Sequence, residues 1–187
     1  MKNFSQIEKR IYDSILKTLP IKKYYPLSEP VINKNDEKFV IHCLKTGWVS
    51  SNGIYLEKFK EKLKKITKRK YIVPVINGTS ALHLALIASG IKKNDEVIVP
   101  DLSYVSAANA VVYTGAVPNF VDIDTKTYSI CPIKLEKYLQ KISKMKKGYL
   151  FNIKTKRYIK ALMLVHVFGY AGEILKIKKI CKKYNLK

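Results

Sequence analysis

The sequence has few cysteines, few acidic residues and no long apolar run. Its three cysteines are odd in number and no two form a CxxC pair, which argues against a disulfide framework and a zinc site. No apolar run approaches the roughly 20 residues that a membrane-spanning helix needs, and the first residues lack the apolar core of a signal peptide. These absences predict a soluble, cytoplasmic protein with reduced thiols, no metal site and no membrane partner.

The scarcity of acidic residues leaves a large positive charge. The 36 Lys and Arg residues outnumber the 14 Asp and Glu residues, giving a formal net charge of +22. A nucleic-acid interface would gather its cations on one element, whereas here lysines alternate with apolar residues at helical spacing, as in "KEKLKKITKRK" and "KIKKICKKYNLK". This pattern is typical of the solvated faces of amphipathic helices. Nucleic acid is therefore not the expected partner, although a non-catalytic basic α/β binding or interaction module stays an open alternative.

What the sequence does contain is an alternation of short β-branched runs and helical segments. An amphipathic helix is predicted at residues 4–19, within an N-terminal appendage of residues 1–24. From residue 71 onward, strands are predicted at "YIVPVI", "EVIVP", "VPNFVDID" and "YIKALMLVHVF", with helices between them. Strands that alternate with helices pair in parallel and carry helices on both faces of the sheet. We therefore expect an α/β fold over residues 25–187, with a β-hairpin insertion at residues 147–158.

The segment "NGTSALHLALIASG", residues 77–90, starts a charge-free apolar helix with small polar residues. The first N–H groups of a helix have no intrahelical partners and lie at the positive end of its dipole. Gly78 allows close approach of an anion such as phosphate, while the hydroxyls of Thr79 and Ser80 either cap the helix or bind the anion. The segment is neither a P-loop nor a GxGxxG motif, so an ordinary helix cap is the alternative.

Two further features follow predicted strands. Tyr104 lies in the loop after "EVIVP", and open α/β sheets bind ligands at the carboxyl ends of their strands. Its ring either stacks on a flat cofactor or packs within the protein. Asp122 and Asp124 in "VDID" form a pair of carboxylates, but their place at a strand end favours turn formation over acid–base chemistry.

Taken in order, these segments resemble the DegT/DnrJ/EryC1/StrS family of pyridoxal-phosphate (PLP)-dependent sugar-nucleotide aminotransferases. The matching pieces are "PLSEP", "LKTGWVSSNGIYLEKFKEKL", "NGTSALHLALIASGIKKNDEVIVPDLSYVSAANAVVYTGAVPNFVDID" and "ALMLVHVFGYAGEILKIKKICKKYNL". "PLSEP", "TGWVSSNG" and the hairpin are most similar to the LegC-like branch. The resemblance implies the large domain of PLP-dependent fold type I. For the intact enzyme it implies a homodimer that transfers an amino group from glutamate to a 4-keto-6-deoxy nucleotide sugar, in surface-polysaccharide or nonulosonic-acid biosynthesis.

The resemblance also implies roles for residues that bind the cofactor. Gly78, Thr79 and Ser80 match the family's phosphate-cradling turn, and Tyr104 matches the aromatic residue that stacks on the pyridine ring. In the family, an aspartate that pairs with the pyridinium nitrogen and a lysine that forms the Schiff base come after the last matching segment. Neither has a counterpart up to Lys187. No catalytic residue is therefore assigned, and an inactive amino-terminal part of the enzyme is expected.

For the sugar nucleotide, the resemblance implies contacts from Trp48, Ser50, Ser51 and His166. The first three match a loop near the family's substrate pocket, and the alternative is a loop anchored by one buried tryptophan. His166 in "VHVFG" ends a predicted strand on the active-site side. It either contacts ligand or is a hydrogen-bonded core histidine.

Overall fold

A computed structural model describes residues 5–19, 24, 26 and 28–187. The elements in this part of the chain are α1 (Gln6–Thr18), α2 (Lys34–Thr46), α3 (Ile54–Thr67), α4 (Gly78–Ala88), β1 (Glu96–Pro100), α5 (Ser106–Tyr113), β2 (Val117–Val121), α6 (Pro132–Ile142), β3 (Ser143–Lys146), β4 (Tyr149–Asn152), β5 (Tyr158–Leu162) and α7 (Ile174–Lys183). Residues 1–61 and 62–187 form two compact units. The division expected after residue 24 stays a prediction. None of the helices described is both long and apolar enough to cross a bilayer.

Capping residues of the sequence mark the start of α1 and the end of α2 in the first unit. α1 starts at a capping box, in which the Ser5 hydroxyl accepts from the Glu8 N–H and the Glu8 carboxylate accepts from the Ser5 N–H. α2 ends at Gly47, whose φ of 74° is the left-handed conformation that glycine adopts most easily. Phe4, the first residue of the predicted helix, lies outside the described residues, as does Leu27 of "PLSEP".

The second unit is built on a five-stranded sheet with the order β2-β1-β5-β4-β3. β1 pairs in parallel with both β2 and β5, whereas β4 pairs antiparallel with β5 and β3. The expected α/β fold with helices on both faces is confirmed, and its sheet is mixed. The predicted hairpin contains β4 and leads into β5, and Leu150 at its centre is buried. That this hairpin is an insertion into the family fold stays a prediction.

The two faces of the sheet carry separate apolar cores. Val97 and Val99 of β1 point to one face, where they pack with residues of α4 and α5. Ile98 points to the other face, where it packs with residues of α6 and α7. Each such side chain contributes about 1.5–3 kcal/mol when fully buried. The alternation along one strand therefore fixes both helical layers against the sheet.

One predicted strand is wrong: "YIVPVI", residues 71–76, is irregular in the structure. Val73 is 69% exposed and Ile76 is 92% exposed, so these residues are not part of the core. Pro74 lacks the N–H that a sheet ladder needs. The β-branched composition was therefore outweighed by the proline and by the lack of burial.

Candidate active site

Three segments of the second unit reach the same edge of the sheet, at the carboxyl ends of β1 and β5. The two strands are parallel, and the Met163 N–H just after β5 donates to the Ile98 carbonyl at 2.8 Å. α4 packs against β1 and is joined to it by a short connection, so it runs antiparallel to the strand. Its 11 residues span about 16 Å, as do the five residues of β1. The N-terminus of α4 therefore lies at this edge.

Asn77 caps the N-terminus of α4. Its side-chain oxygen accepts from the Ser80 N–H at 2.8 Å, and its carbonyl accepts from the Ala81 N–H at 3.1 Å. The hydroxyls of Thr79 and Ser80 are therefore not needed as caps, which removes the simplest structural explanation for them. Within the described residues, the N–H groups of Gly78 and Thr79 donate to no other group of the protein. Two helical N–H donors and two hydroxyls are thus available to an anion.

The glycine at position 78 is required by neither the backbone nor the packing. Its φ is not in the left-handed region, and a Cβ built on it would meet nothing within 4 Å. A side chain would fit here, yet it would cover the free N–H groups of the first turn. The arrangement therefore fits a phosphate group that approaches the backbone closely.

Tyr104 lies in the loop between β1 and α5, and it is 80% exposed. The start of this loop is fixed where the Asp101 N–H donates to the Val121 carbonyl at 2.9 Å. The end is fixed where the Ala107 N–H donates to the Tyr104 carbonyl at 3.1 Å. The exposed ring is not a packing residue of the core, so the packing alternative is wrong. An accessible aromatic face at a sheet edge can stack on a planar ligand.

His166 lies four residues after the end of β5 and is exposed, so the alternative of a core histidine is wrong. Its Nδ1 atom accepts a hydrogen bond from the Gly172 N–H at 3.3 Å. Between these residues the chain reverses through Phe168 and Gly169, with φ values of 54° and 80°. The histidine is therefore held at the edge by its own loop.

The segment after β2 carries the two aspartates and supports the His166 loop. The Asp124 carboxylate accepts from the N–H groups of Lys126 and Thr127, which lower the pKa of Asp124 below its usual value. The Lys134 ammonium, 2.6 Å from Asp122, likewise lowers the pKa of that carboxyl. Turn formation is thus confirmed for Asp124. This turn presents Ser129, whose hydroxyl donates to the Val165 carbonyl at 3.1 Å.

The predicted sugar-nucleotide loop belongs to the first unit. Trp48 and Ser50 line a cavity of about 190 Å³ together with residues of α2 and α3. Trp48 is 52% exposed, so the alternative of a loop anchored by one buried tryptophan is wrong. Ser51 is exposed. The apolar wall and hydroxyl of this cavity can receive part of a small ligand.

Sequence reasoning missed three residues of the candidate site: Asn77, Ser129 and Gly172. Asn77 had a usable signal, because asparagine before a helix is a preferred cap. Ser129 had none, because the carbonyl that it contacts is 36 residues further along the chain.

Comparison with known proteins supports the likeness read from the motifs. The profile of the DegT/DnrJ/EryC1/StrS aminotransferase family matches residues 30–187. The GDP-perosamine synthase of Escherichia coli O157:H7 is 40% identical over 88% of the chain and 41% of that protein. The synthase of Vibrio cholerae is 37% identical over 86% and 40%. The chain thus spans about two fifths of the length of these curated relatives.

Solved structures show the same fold. NtdA of Bacillus subtilis, with its bound cofactor PMP, matches with a TM-score of 0.68 at 27% identity, over 89% of the chain and 37% of NtdA. An aminotransferase from Psychrobacter cryohalolentis gives a TM-score of 0.71 at 27% identity, over 86% and 37%. The finer placement in the LegC-like branch stays a prediction. The family profile and the shared fold together show that the chain belongs to the DegT/DnrJ/EryC1/StrS aminotransferase family.

Proposed function

We propose that the second unit carries the cofactor-binding edge of a PLP-dependent aminotransferase whose substrate is a 4-keto-6-deoxy nucleotide sugar. The observation that carries the proposal is the first turn of α4, beside Gly78, where two N–H groups and two hydroxyls have no hydrogen-bond partner in the part of the chain that the structure describes. The relatives support the cofactor, since NtdA has bound PMP. They support the substrate class, since their names include a GDP-linked and a dTDP-linked sugar.

The N–H groups of Gly78 and Thr79 and the hydroxyls of Thr79 and Ser80 would hold the phosphate of the cofactor. The dipole of α4 adds to this attraction, because its positive end faces the anion. The exposed ring of Tyr104 would stack on the pyridine ring of the cofactor. When bound, PLP supplies an electron sink that stabilises charge on the substrate carbon. The contacts with the sugar nucleotide are separate proposals for each unit: Trp48, Ser50 and Ser51 in the first unit, and His166 in the second.

Further parts of the proposal concern the whole protein. Glutamate is the amino donor, as the name of a 33% identical relative, 3-oxo-glucose-6-phosphate:glutamate aminotransferase of Bacillus subtilis, includes glutamate. The enzyme acts in the cytoplasm as a homodimer and belongs to the LegC-like branch. The 187 residues alone bind the cofactor without transaminating, because the residues assigned at the edge supply hydroxyls, a phenol and an imidazole but no lysine to move the substrate proton.

Calorimetric titration with pyridoxamine 5′-phosphate tests the phosphate site. This form is chosen because it lacks the aldehyde, which would react with exposed lysines. Each N–H bond to a charged phosphate contributes about 1.5–3 kcal/mol, and 1.4 kcal/mol corresponds to tenfold in affinity. Two such bonds predict that pyridoxamine without phosphate binds about 100-fold more weakly or worse.

Two variants locate the site on α4. Gly78→Val should abolish the advantage of the phosphorylated ligand, because its side chain covers the free N–H groups. Ala85→Val is the matched control: it adds a β-branched side chain at an exposed position of the same helix, about 10 Å further on. Equal affinity of Gly78→Val and Ala85→Val for the phosphorylated ligand would refute the proposal. Salt-sensitive retention on DNA with no pyridoxamine phosphate binding would favour the basic binding module.

A further inference from the structure

We propose that Ser129 and Gly172 are positioning residues that hold the His166 imidazole in the tautomer with its proton on Nε2. They make Nε2–H a fixed donor for an acceptor oxygen of the ligand at the carboxyl edge of the sheet. This deepens the proposed function of the same edge and depends on it only for the identity of the ligand. The contacts that hold the ring are formed by the protein alone.

The tautomer follows from the hydrogen bond at Nδ1. The Gly172 N–H donates to Nδ1 at 3.3 Å, so Nδ1 carries a lone pair. A neutral imidazole with an unprotonated Nδ1 carries its proton on Nε2. An exposed histidine without such a partner exchanges between the two tautomers, and only one of them offers a donor at Nε2.

Gly172 is held in place by close packing against Ser129. A Cβ built at position 172 would lie 2.6 Å from the Ser129 Cβ, a distance at which one of the two segments must move. Ser129 is fully buried and does not yield easily. Glycine is therefore needed here for the backbone N–H to come within reach of the imidazole.

Ser129 also fixes the chain on the other side of the histidine. Its hydroxyl donates to the carbonyl of Val165, the residue before His166, at 3.1 Å. Beside it, the Tyr128 ring contacts the Phe168 ring edge-on, with centroids 6.3 Å apart and planes at 87°. Tyr128 and Ser129 thus contact the His166 loop at Val165, Phe168 and Gly172, which lie before, within and after its turn.

The backbone around this contact is held in an uncommon conformation. Tyr128 and Phe168 both have a φ of 54°, which is rare for aromatic residues and strains the backbone at each position. Such conformations persist only where surrounding contacts fix them, and they concentrate at functional sites. Tyr128 directly precedes Ser129, and Phe168 lies between His166 and Gly172, so both uncommon conformations lie beside the contacts that hold His166.

Long-range ¹H–¹⁵N NMR of the uniformly ¹⁵N-labelled chain tests the proposal directly, because the two imidazole nitrogens shift differently when protonated. The chain has three histidines, and His166→Gln assigns the signals of His166. At pH about 8.5, roughly two units above the ordinary histidine pKa, we expect one unprotonated Nδ1 and one protonated Nε2 for His166. Signals averaged between the tautomers, or a protonated Nδ1, would overturn the proposal.

Variants test the role of the two positioning residues. Gly172→Ala should move the His166 signals to tautomer-averaged positions while those of His42 and His83 stay unchanged. Adding Ser129→Gly to Gly172→Ala removes the clashing atoms and should restore part of the fixed pattern. Gly148→Ala is the control: its φ of 78° strains the substituted backbone, but a Cβ there would meet none of the described atoms within 4 Å, so the His166 tautomer should stay unchanged. An unchanged tautomer in Gly172→Ala would refute the proposal.

A further variant, Ser129→Ala, still tests the proposal if Gly172→Ala fails to fold. Ser129→Ala removes only the hydroxyl that bonds to Val165 and should also shift His166 toward averaged signals; no shift would refute the role of Ser129. The failure of the proposed function is distinguishable, because the NMR experiment contains no ligand. A fixed tautomer together with no pyridoxamine phosphate binding would reject the proposed function and leave the positioning role intact.

Discussion

Glu96 is the first residue of β1 and is 1% exposed. Its carboxylate accepts hydrogen bonds from the side-chain amides of Asn119 at 2.8 Å and Asn152 at 3.0 Å, and from the Thr155 hydroxyl. The three donors come from β2, β4 and the turn after β4. We therefore expect Glu96→Ala to loosen the attachment of the hairpin and of β2 to the centre of the sheet.

The size of the effect follows from which donors lose their acceptor inside the protein. Asn119 and Asn152 are 9% and 3% exposed, whereas Thr155 is exposed and can bond to water instead. A hydrogen bond to a charged group contributes about 1.5–3 kcal/mol. Two lost bonds would cost about 3–6 kcal/mol, and water entering the open cavity beside Glu96 offsets part of this. We expect a loss of about 3 kcal/mol, a large fraction of the 5–15 kcal/mol typical of a whole domain.

Urea unfolding followed by circular dichroism measures the loss. Glu96→Gln should lose clearly less, because its amide oxygen still accepts from the two asparagines. Glu136→Ala is the control: its ion pair with Lys183 lies on the surface, where such pairs contribute at most about 1 kcal/mol. If Glu96→Ala loses no more free energy of unfolding than Glu136→Ala, the reasoning is wrong.

Three further predictions concern the candidate site. Gly78→Ala should raise the free energy of unfolding by up to about 1 kcal/mol, because alanine is the better helix former. The same variant should bind pyridoxamine phosphate more weakly. If calorimetry shows that stability and affinity both rise or both fall, this prediction is wrong. The N–H groups of Lys126 and Thr127 lower the pKa of Asp124 in the folded chain. The turn around Asp124 should therefore be intact above pH 3.8, the ordinary pKa of the carboxyl, and should loosen as the pH falls through the lower folded-state pKa. NMR shifts of the Thr127 amide report this, and Asp124→Asn should remove the acid dependence. The 187-residue chain with PLP, glutamate and a 4-keto sugar nucleotide should form no more 2-oxoglutarate than PLP without protein. Sugar-dependent product above that level would contradict the proposal that these residues bind the cofactor without transaminating.

The sequence alone was sufficient for the features that depend on neighbouring residues. β1 was predicted because three successive β-branched residues, Val97 to Val99, follow a helix and precede a polar loop. α6 and α7 were predicted because their apolar residues recur at helical spacing. The position of Tyr104 after β1 and of Gly78 at a helix start followed from the same local patterns. These patterns, ordered along the chain, were also enough to indicate the family.

Tertiary structure decided the features that depend on residues far apart in the chain. "YIVPVI" has the composition of a strand but pairs with no neighbouring strand among the described residues. In β5, a bulge between Ile159 and Ala161, the partners of Glu96 and Val97, leaves Lys160 outside the regular pairing. The orientation of His166 depends on Ser129 and Gly172, which are 43 residues apart in the sequence and are brought together by the fold. Local propensity favours helix or strand on the basis of a few neighbouring residues. Which side chains touch is set by how whole elements pack, and that information is spread over the entire chain.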